Sequence, residues 1–136
     1  MNKEEYKKVH LSYSEYEKLV NELGDKLKGK IDMVYGNCRG GWPIAVHLSH
    51  YLNIPILVAL DGQEYVAYNK LLVVDDICDK GKVTSGALKS LQDRENIITA
   101  SLYVSGHYTP DIFLRIKKLD EWIVFPWERM DEEPNR

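Results

Sequence analysis

Four consecutive aliphatic residues, Leu71 to Val74, run directly into two acids, Asp75 and Asp76, in the segment LLVVDDICDKGKVTSGAL. A strand that is apolar throughout, instead of alternating, is typical of a parallel sheet whose two faces are both covered. Similar apolar runs occur in IDMVYG (31–36), IPILVAL (54–60), IITASLYVS (97–105) and DEWIVFPWE (120–128). Together with YNKLLVVDD (68–76), these runs predict five strands.

Segments with helical spacing of apolar residues alternate with these strands. The first has Ser14 as its predicted N-cap and ends at Gly29. Its predicted apolar face consists of Tyr16, Leu19, Val20, Leu23 and Leu27. The others are GWPIAVHLSHYLN (41–53) and VTSGALKSLQD (83–93). This alternation predicts an α/β fold, a parallel sheet flanked by helices on both faces.

The length and charge of the chain bound what it can be. A length of 136 residues predicts one domain, 1–136, and MDEEPNR (about 130–136) is expected to be a loose acidic tail. A net charge of −3 argues against a general nucleic-acid binder, which needs a basic face. Cys38 and Cys78 have no metal or disulfide spacing, and no apolar run is long enough to cross a membrane. We therefore expect a cytoplasmic protein without a membrane partner.

The polar residues that follow the predicted strands indicate a ligand site. In open parallel sheets, ligands bind outside the carboxyl ends of the strands. The acid pair and NCRGGW (37–42) each follow such a strand, and DKGKVTSG (79–86) supplies a glycine turn, two lysines, hydroxyls and a predicted helix start. Such a loop suits a phosphate, while two carboxylates suit sugar hydroxyls. A ribose 5-phosphate meets both demands.

Three segments resemble one family. LLVVDDICDKGKVTSGAL, YGNCRGGWPIAVHLSHYLNIP and DEWIVFPWE look like the type I phosphoribosyltransferases, in particular the short bacterial xanthine-guanine branch and the hypoxanthine-guanine enzymes around it. The resemblance covers roughly residues 10 to 129. It implies the parallel sheet flanked by helices, phosphoribosyl pyrophosphate as substrate, and Mg2+ as cofactor.

The resemblance also implies a role for each motif. Asp75 and Asp76 would bind the ribose hydroxyls, with Asp76 near the metal, and Asp79 would be the catalytic acid or base facing the purine N7. The loop around the 5-phosphate would consist of Asp79, Lys80, Gly81, Lys82, Val83 and Thr84.

Two further segments would complete the site. The turn Cys38, Arg39, Gly40 and Gly41 would hold pyrophosphate, with Arg39 supplying charge and the glycines permitting a strained backbone near the ligand. Trp122 would stack on the purine, with the Ile123 backbone at its edge.

The sequence departs from the family pattern at three places. Lys80 and Lys82 stand where the family has hydroxyl donors, and Tyr103 aligns with the lysine that reads the 6-oxo group of a purine. The family's long hood loop is reduced to about ten residues, DGQEYVAYNK (61–70). A shorter hood would leave a reacting sugar less protected from water.

Single motifs also have simpler interpretations. Asp75-Asp76 alone would suit a receiver-like domain, Trp122 alone a core position, and Lys80 and Lys82 alone a solvated loop. The motifs together leave two functions open. The first is a purine-salvage phosphoribosyltransferase that takes phosphoribosyl pyrophosphate and a base and works as an assembly of identical subunits. The second is a non-catalytic phosphoribosyl pyrophosphate or nucleotide-binding regulatory protein. The presence of Asp79 favours the enzyme, and the short hood favours the binding protein. Of the two, we expect the enzyme.

Overall fold

The computed structural model describes residues 6–37, 39–57, 70–78, 96–106 and 109–129. Within them, two helices and six strands follow one another along the chain. Their bounds are β1 (Lys7–His10), α1 (Tyr13–Leu27), β2 (Met33–Gly36), α2 (Gly41–Leu52), β3 (Leu71–Cys78), β4 (Ile97–Val104), β5 (Ile112–Ile116) and β6 (Glu121–Val124). Neither helix is long and apolar enough to cross a membrane.

The main sheet contains four parallel strands in the order β2-β3-β4-β5. Val34 of β2 also forms a parallel bridge with Ile56, on the side away from β3. The chain thus moves to one side of β2 through α2 and returns to the other side to form β3. Such a reversal opens a crevice at the carboxyl ends of the two strands that flank it, here β2 and β3. The predicted parallel α/β fold is confirmed.

Within the described residues, the predicted choice of strands for the main sheet is wrong in two respects. The last predicted strand shortens to β6 and pairs in parallel with β1 in a separate two-stranded sheet. Neither β1 nor β5 was expected, because the lysines of β1 are exposed and β5 is at most half-buried. These exposed strands are defined by backbone pairing, of β1 with β6 and of β5 with β4, which leaves little apolar signal in the sequence.

The first helix begins earlier than predicted, because Ser12 and not Ser14 is its N-cap. Ser12 Oγ accepts from the Glu15 N–H, and Glu15 Oε1 accepts from the Ser12 N–H, both at 3.0 Å. This capping box satisfies two N–H groups at the helix start. The apolar face that it orients is buried as predicted: Tyr16, Leu19, Val20, Leu23 and Leu27.

Side chains on both faces of the sheet are buried. Leu72 and Val74 pack in the same cluster as α1 and α2, whereas Leu71 and Val73 pack in a second cluster. Because side chains alternate along a strand, Asp76 lies on the same face of the sheet as Val74, and Asp75 lies on the same face as Val73. The predicted helix at 83–93, most of the hood segment 61–70 and the tail 130–136 lie outside the described residues.

We expect Gly41→Ala to destabilise the fold, because a Cβ at Gly41 would meet the backbone carbonyl of Val74 in β3. Overpacking of this kind costs about 1–3 kcal/mol. Chemical denaturation would measure the loss, with Val46→Ala as a control because Val46 is an exposed position of the same helix. Equal stability of the two variants would contradict a close approach of α2 to β3.

Candidate functional site

The sequence predicted the acid pair at the end of its strand, but the pair lies inside β3. The strand continues to Cys78, but its pairing with β2 stops at Gly36 and Val74. Beyond that point β2 turns away toward α2, so Asp75 and Asp76 line the crevice between the two strands. Both are nonetheless buried, with 6% and 5% of their surface exposed.

Three hydrogen bonds hold the buried carboxylates. Asn37, directly after β2, donates through Nδ2 to Asp75 Oδ2 at 3.4 Å. The Asp76 backbone N–H donates to Asp75 Oδ1 at 2.9 Å, and the Ile77 N–H donates to Asp76 Oδ1 at 2.7 Å. Buried charge needs such partners, since an unpaired carboxylate in the interior is costly. The ends of β2 and β3 therefore form one polar cluster.

The turn after β2 packs directly on this cluster. A Cβ at Gly40 would come within 2.6 Å of Asp76 Oδ1, so only glycine lets the turn approach the carboxylate this closely. The positive φ of the turn falls on Arg39, at 52°, and not on Gly40, whose φ is −68°. The expected role of the glycines is thereby corrected: they allow protein to pack against protein, while Arg39 has the uncommon backbone.

The electrostatics of the pair follow from its burial. Desolvation of the Asp75 carboxyl, and next the adjacent Asp76 charge, raises the pKa of Asp75 from an ordinary value of 3.8 to about 9. Two neighbouring carboxyls in a poorly solvated place tend to share one proton. At neutral pH, Asp75 therefore carries that proton in the ligand-free protein. Hydroxyl groups or a cation placed beside the pair would find both an acceptor and a releasable proton.

The residues proposed to hold the base are placed as follows. Trp122 is half-buried in β6, and its ring meets Tyr6 edge-on at 6.3 Å. Ile123 is buried in the main core. Tyr103 is half-buried in β4 and packs edge-on against Phe125 at 6.2 Å, and burial raises its pKa. A stacking role for Trp122 stays a prediction.

Several predicted site residues lie outside the described residues. They are Cys38, Asp79, Lys80, Gly81, Lys82, Val83 and Thr84. Their roles also stay predictions, and the described geometry bears on the acid pair and the turn at 39–41.

Sequence reasoning missed two polar groups of this region. Asn37 stands directly after a buried strand. The same kind of position drew attention to Asp75, so a polar residue there could have been recognised as a candidate site residue. Tyr16 was assigned to the apolar face of α1 from its spacing. Burial and then the negative charge of Asp76 raise the pKa of its phenol.

The raised pKa of Asp75 predicts a pH-dependent stability. The folded protein binds this proton more tightly than the unfolded chain. The contribution of the proton to the free energy of unfolding is therefore largest below about pH 4 and is lost as pH rises toward about 9. We expect Asp75→Asn to remove this decline. Denaturant titrations of both proteins from pH 5 to pH 8.5 would measure it, and parallel curves would contradict it.

No family profile and no curated protein matches the chain at a significant level. Solved structures do match. The purine phosphoribosyltransferase of Pyrococcus horikoshii is 27% identical, with a TM-score of 0.77 over 90% of this chain and 94% of that chain. The xanthine-guanine-hypoxanthine phosphoribosyltransferase of Helicobacter pylori is also 27% identical, with a TM-score of 0.70 over the same shares. A Neisseria gonorrhoeae protein solved with bound ppGpp shares the fold at 21% identity, with a TM-score of 0.69 over 93% of this chain and 92% of that chain.

These likenesses extend over almost the whole of each chain, so they concern the complete parallel sheet and not a shared fragment. The sheet brings the acid pair and the turn after β2 into contact. The resemblance of these two segments to the family implies the same arrangement. Phosphoribosyl transfer is thus the general chemistry that the neighbours support. The chain therefore shares the fold of the type I phosphoribosyltransferases and is similar to the purine enzymes among them.

Proposed function

We propose that this protein transfers ribose 5-phosphate from phosphoribosyl pyrophosphate to a nitrogenous base, most favourably a purine, and releases pyrophosphate. The observation that carries the proposal is the buried acid pair in contact with the turn at 39–41. Two motifs 34 residues apart, counted from Gly41 to Asp75, meet at one crevice of the sheet. A ligand with a sugar diol and a phosphate group on either side of it would contact both.

The reaction needs placement and charge more than covalent help. The bond between the sugar C1 and the pyrophosphate oxygen breaks, a bond from C1 to a base nitrogen forms, and that nitrogen gives up its proton. The Asp76 carboxylate favours the positive charge that develops on the sugar, and Asp75 adds to this effect once a ligand or cation has displaced its proton. Arg39, which is exposed beside them, supplies positive charge for the departing pyrophosphate. Asp79 is the proposed acceptor of the proton from the base.

The donor set fits a magnesium ion. Mg2+ prefers hard oxygen ligands and is commonly held by one or two carboxylates together with substrate phosphates. Asp76, with Asp75 beside it, offers such oxygens, and no group of three or more metal-binding side chains occurs in the described parts of the chain. We propose that the ion binds together with the substrate. It would neutralise the charge on pyrophosphate.

Two substitutions separate binding from chemistry. Asp76→Asn should weaken magnesium-dependent binding of phosphoribosyl pyrophosphate by roughly 1.5–3 kcal/mol, the worth of hydrogen bonds to a charged group. Asp79→Asn should spare that binding and lower turnover by about 10- to 10⁴-fold, the range of general acid-base help. Calorimetric titration and steady-state pyrophosphate release, across a panel of purine and pyrimidine bases, would measure both. Asp120→Asn, at an exposed turn, is the control.

A second function has one observation in its favour. The hood segment 61–70 is short, and a protein of the same fold was solved with ppGpp, so this fold can hold a guanosine polyphosphate. A non-catalytic binder would bind phosphoribosyl pyrophosphate or a nucleotide and form no product. Binding by the wild type without nucleotide formation from any base would overturn the transferase and leave this alternative.

The phosphate loop gives a further test. Replacing Lys80 and Lys82 by alanine should weaken ligands that carry a ribose 5-phosphate by on the order of 1–3 kcal/mol and make the remaining binding less sensitive to salt. The reason is that two ammonium groups stand where the family has hydroxyl donors. Replacing Lys26 and Lys30, at the far end of α1, changes the net charge equally and should leave binding unchanged. Equal effects of the two pairs would mean that the loop lysines act only through net charge.

A further inference from the structure

The hydroxyl of Tyr16 is a buried polar group that the proposed reaction does not use. Tyr16 lies in the first turns of α1 with 6% of its surface exposed. Its hydroxyl is fully buried and, within the described part of the chain, has no hydrogen-bond partner. Buried hydroxyls are almost always paired, since an unpaired one loses its hydration without compensation. The position therefore needs an explanation beyond packing, because phenylalanine would fill it without that cost.

The ring of Tyr16 is held firmly in place. Trp127 meets it edge-on, with ring centroids 4.8 Å apart and planes at 77°, and His47 of α2 meets it at 6.2 Å and 86°. Ring contacts on two sides fix where the hydroxyl points. Asp76 lies on the face of β3 that packs against α1 and α2, and its charge acts on this phenol. Tyr16 and Asp76 are therefore both buried on the same side of the sheet.

We propose that Tyr16 is a positioning residue for Asp76, acting through one buried water that accepts from the Tyr16 hydroxyl and donates to the Asp76 carboxylate. Water molecules in interiors occupy such places, between polar groups too far apart to bond directly. The bridge would hold Asp76 in the orientation that faces the ligand. This inference rests on the proposed function for its effect on phosphoribosyl pyrophosphate, whereas the proposed water bridge to Asp76 needs no ligand.

Tyr16→Phe keeps the ring and removes the hydroxyl. We expect roughly ten- to hundredfold weaker binding of magnesium phosphoribosyl pyrophosphate, as expected for loss of a hydrogen bond to a charged group. Tyr51→Phe is a matched control, because the Tyr51 hydroxyl donates to Asp25 Oδ1 at 2.7 Å on an exposed part of the same pair of helices. That variant should bind the ligand as the wild type does.

A double-mutant cycle separates positioning from a general structural role. If Tyr16 acts through Asp76, then Tyr16→Phe should change affinity little in a protein that already carries Asp76→Asn. Equal losses in both backgrounds would overturn the proposal, because they would mean that the hydroxyl supports the fold and not the carboxylate. Unchanged affinity in the single variant would overturn it as well.

A measurement on the ligand-free protein distinguishes failure of this inference from failure of the proposed function. Carboxyl carbon NMR should show a shifted Asp76 signal in Tyr16→Phe and an unchanged one in Tyr51→Phe, whereas the Asp25 signal should shift only in Tyr51→Phe. If the wild type does not bind phosphoribosyl pyrophosphate, the function fails and these spectra still decide the role of Tyr16. An Asp76 signal that does not respond to Tyr16→Phe would sink the inference.

Discussion

The structure depends on the burial of two adjacent carboxyls in the second strand of its main sheet. Asp75 and Asp76 are almost fully buried, a state that costs a great deal of free energy unless hydrogen bonds and a shared proton reduce it. The fold supplies both. Asn37 and two backbone N–H groups donate to the pair, and burial keeps a proton on Asp75. Buried acids with a shifted pKa are common at functional sites.

The glycines after β2 make this arrangement possible. Gly41 brings the start of α2 against the backbone of β3, and Gly40 brings the turn against the Asp76 carboxylate. A larger side chain at either place would push the turn away from β3. At the reversal of strand order beside β2, the acid pair and the Arg39 turn therefore lie against each other.

Much of the fold could be predicted because the central strands carry a strong local signal. Val73 and Val74 belong to a run that only a doubly covered strand explains, and the face of α1 was read correctly from its spacing. The pairing of β1 with β6 could not be predicted in this way. Lys7 and Lys8 are exposed, and their strand exists only because the backbone of a segment more than 100 residues later lies beside it.

For the site, the order of residues along the chain shows which side chains are available: two acids after an apolar strand, and a glycine turn after another strand with an arginine before its glycines. It also shows a resemblance to one family, because these residue types follow one another in a recognisable order. The tertiary structure decided which of them touch. It added Asn37, which donates to Asp75 38 positions away, and Tyr16, whose phenol has its pKa raised by burial and then by the charge of Asp76. It also showed that the positive φ angle of the turn belongs to Arg39 and not to the glycines. Spacing along a chain reports local periodicity, whereas burial and hydrogen bonding depend on segments that meet only after folding.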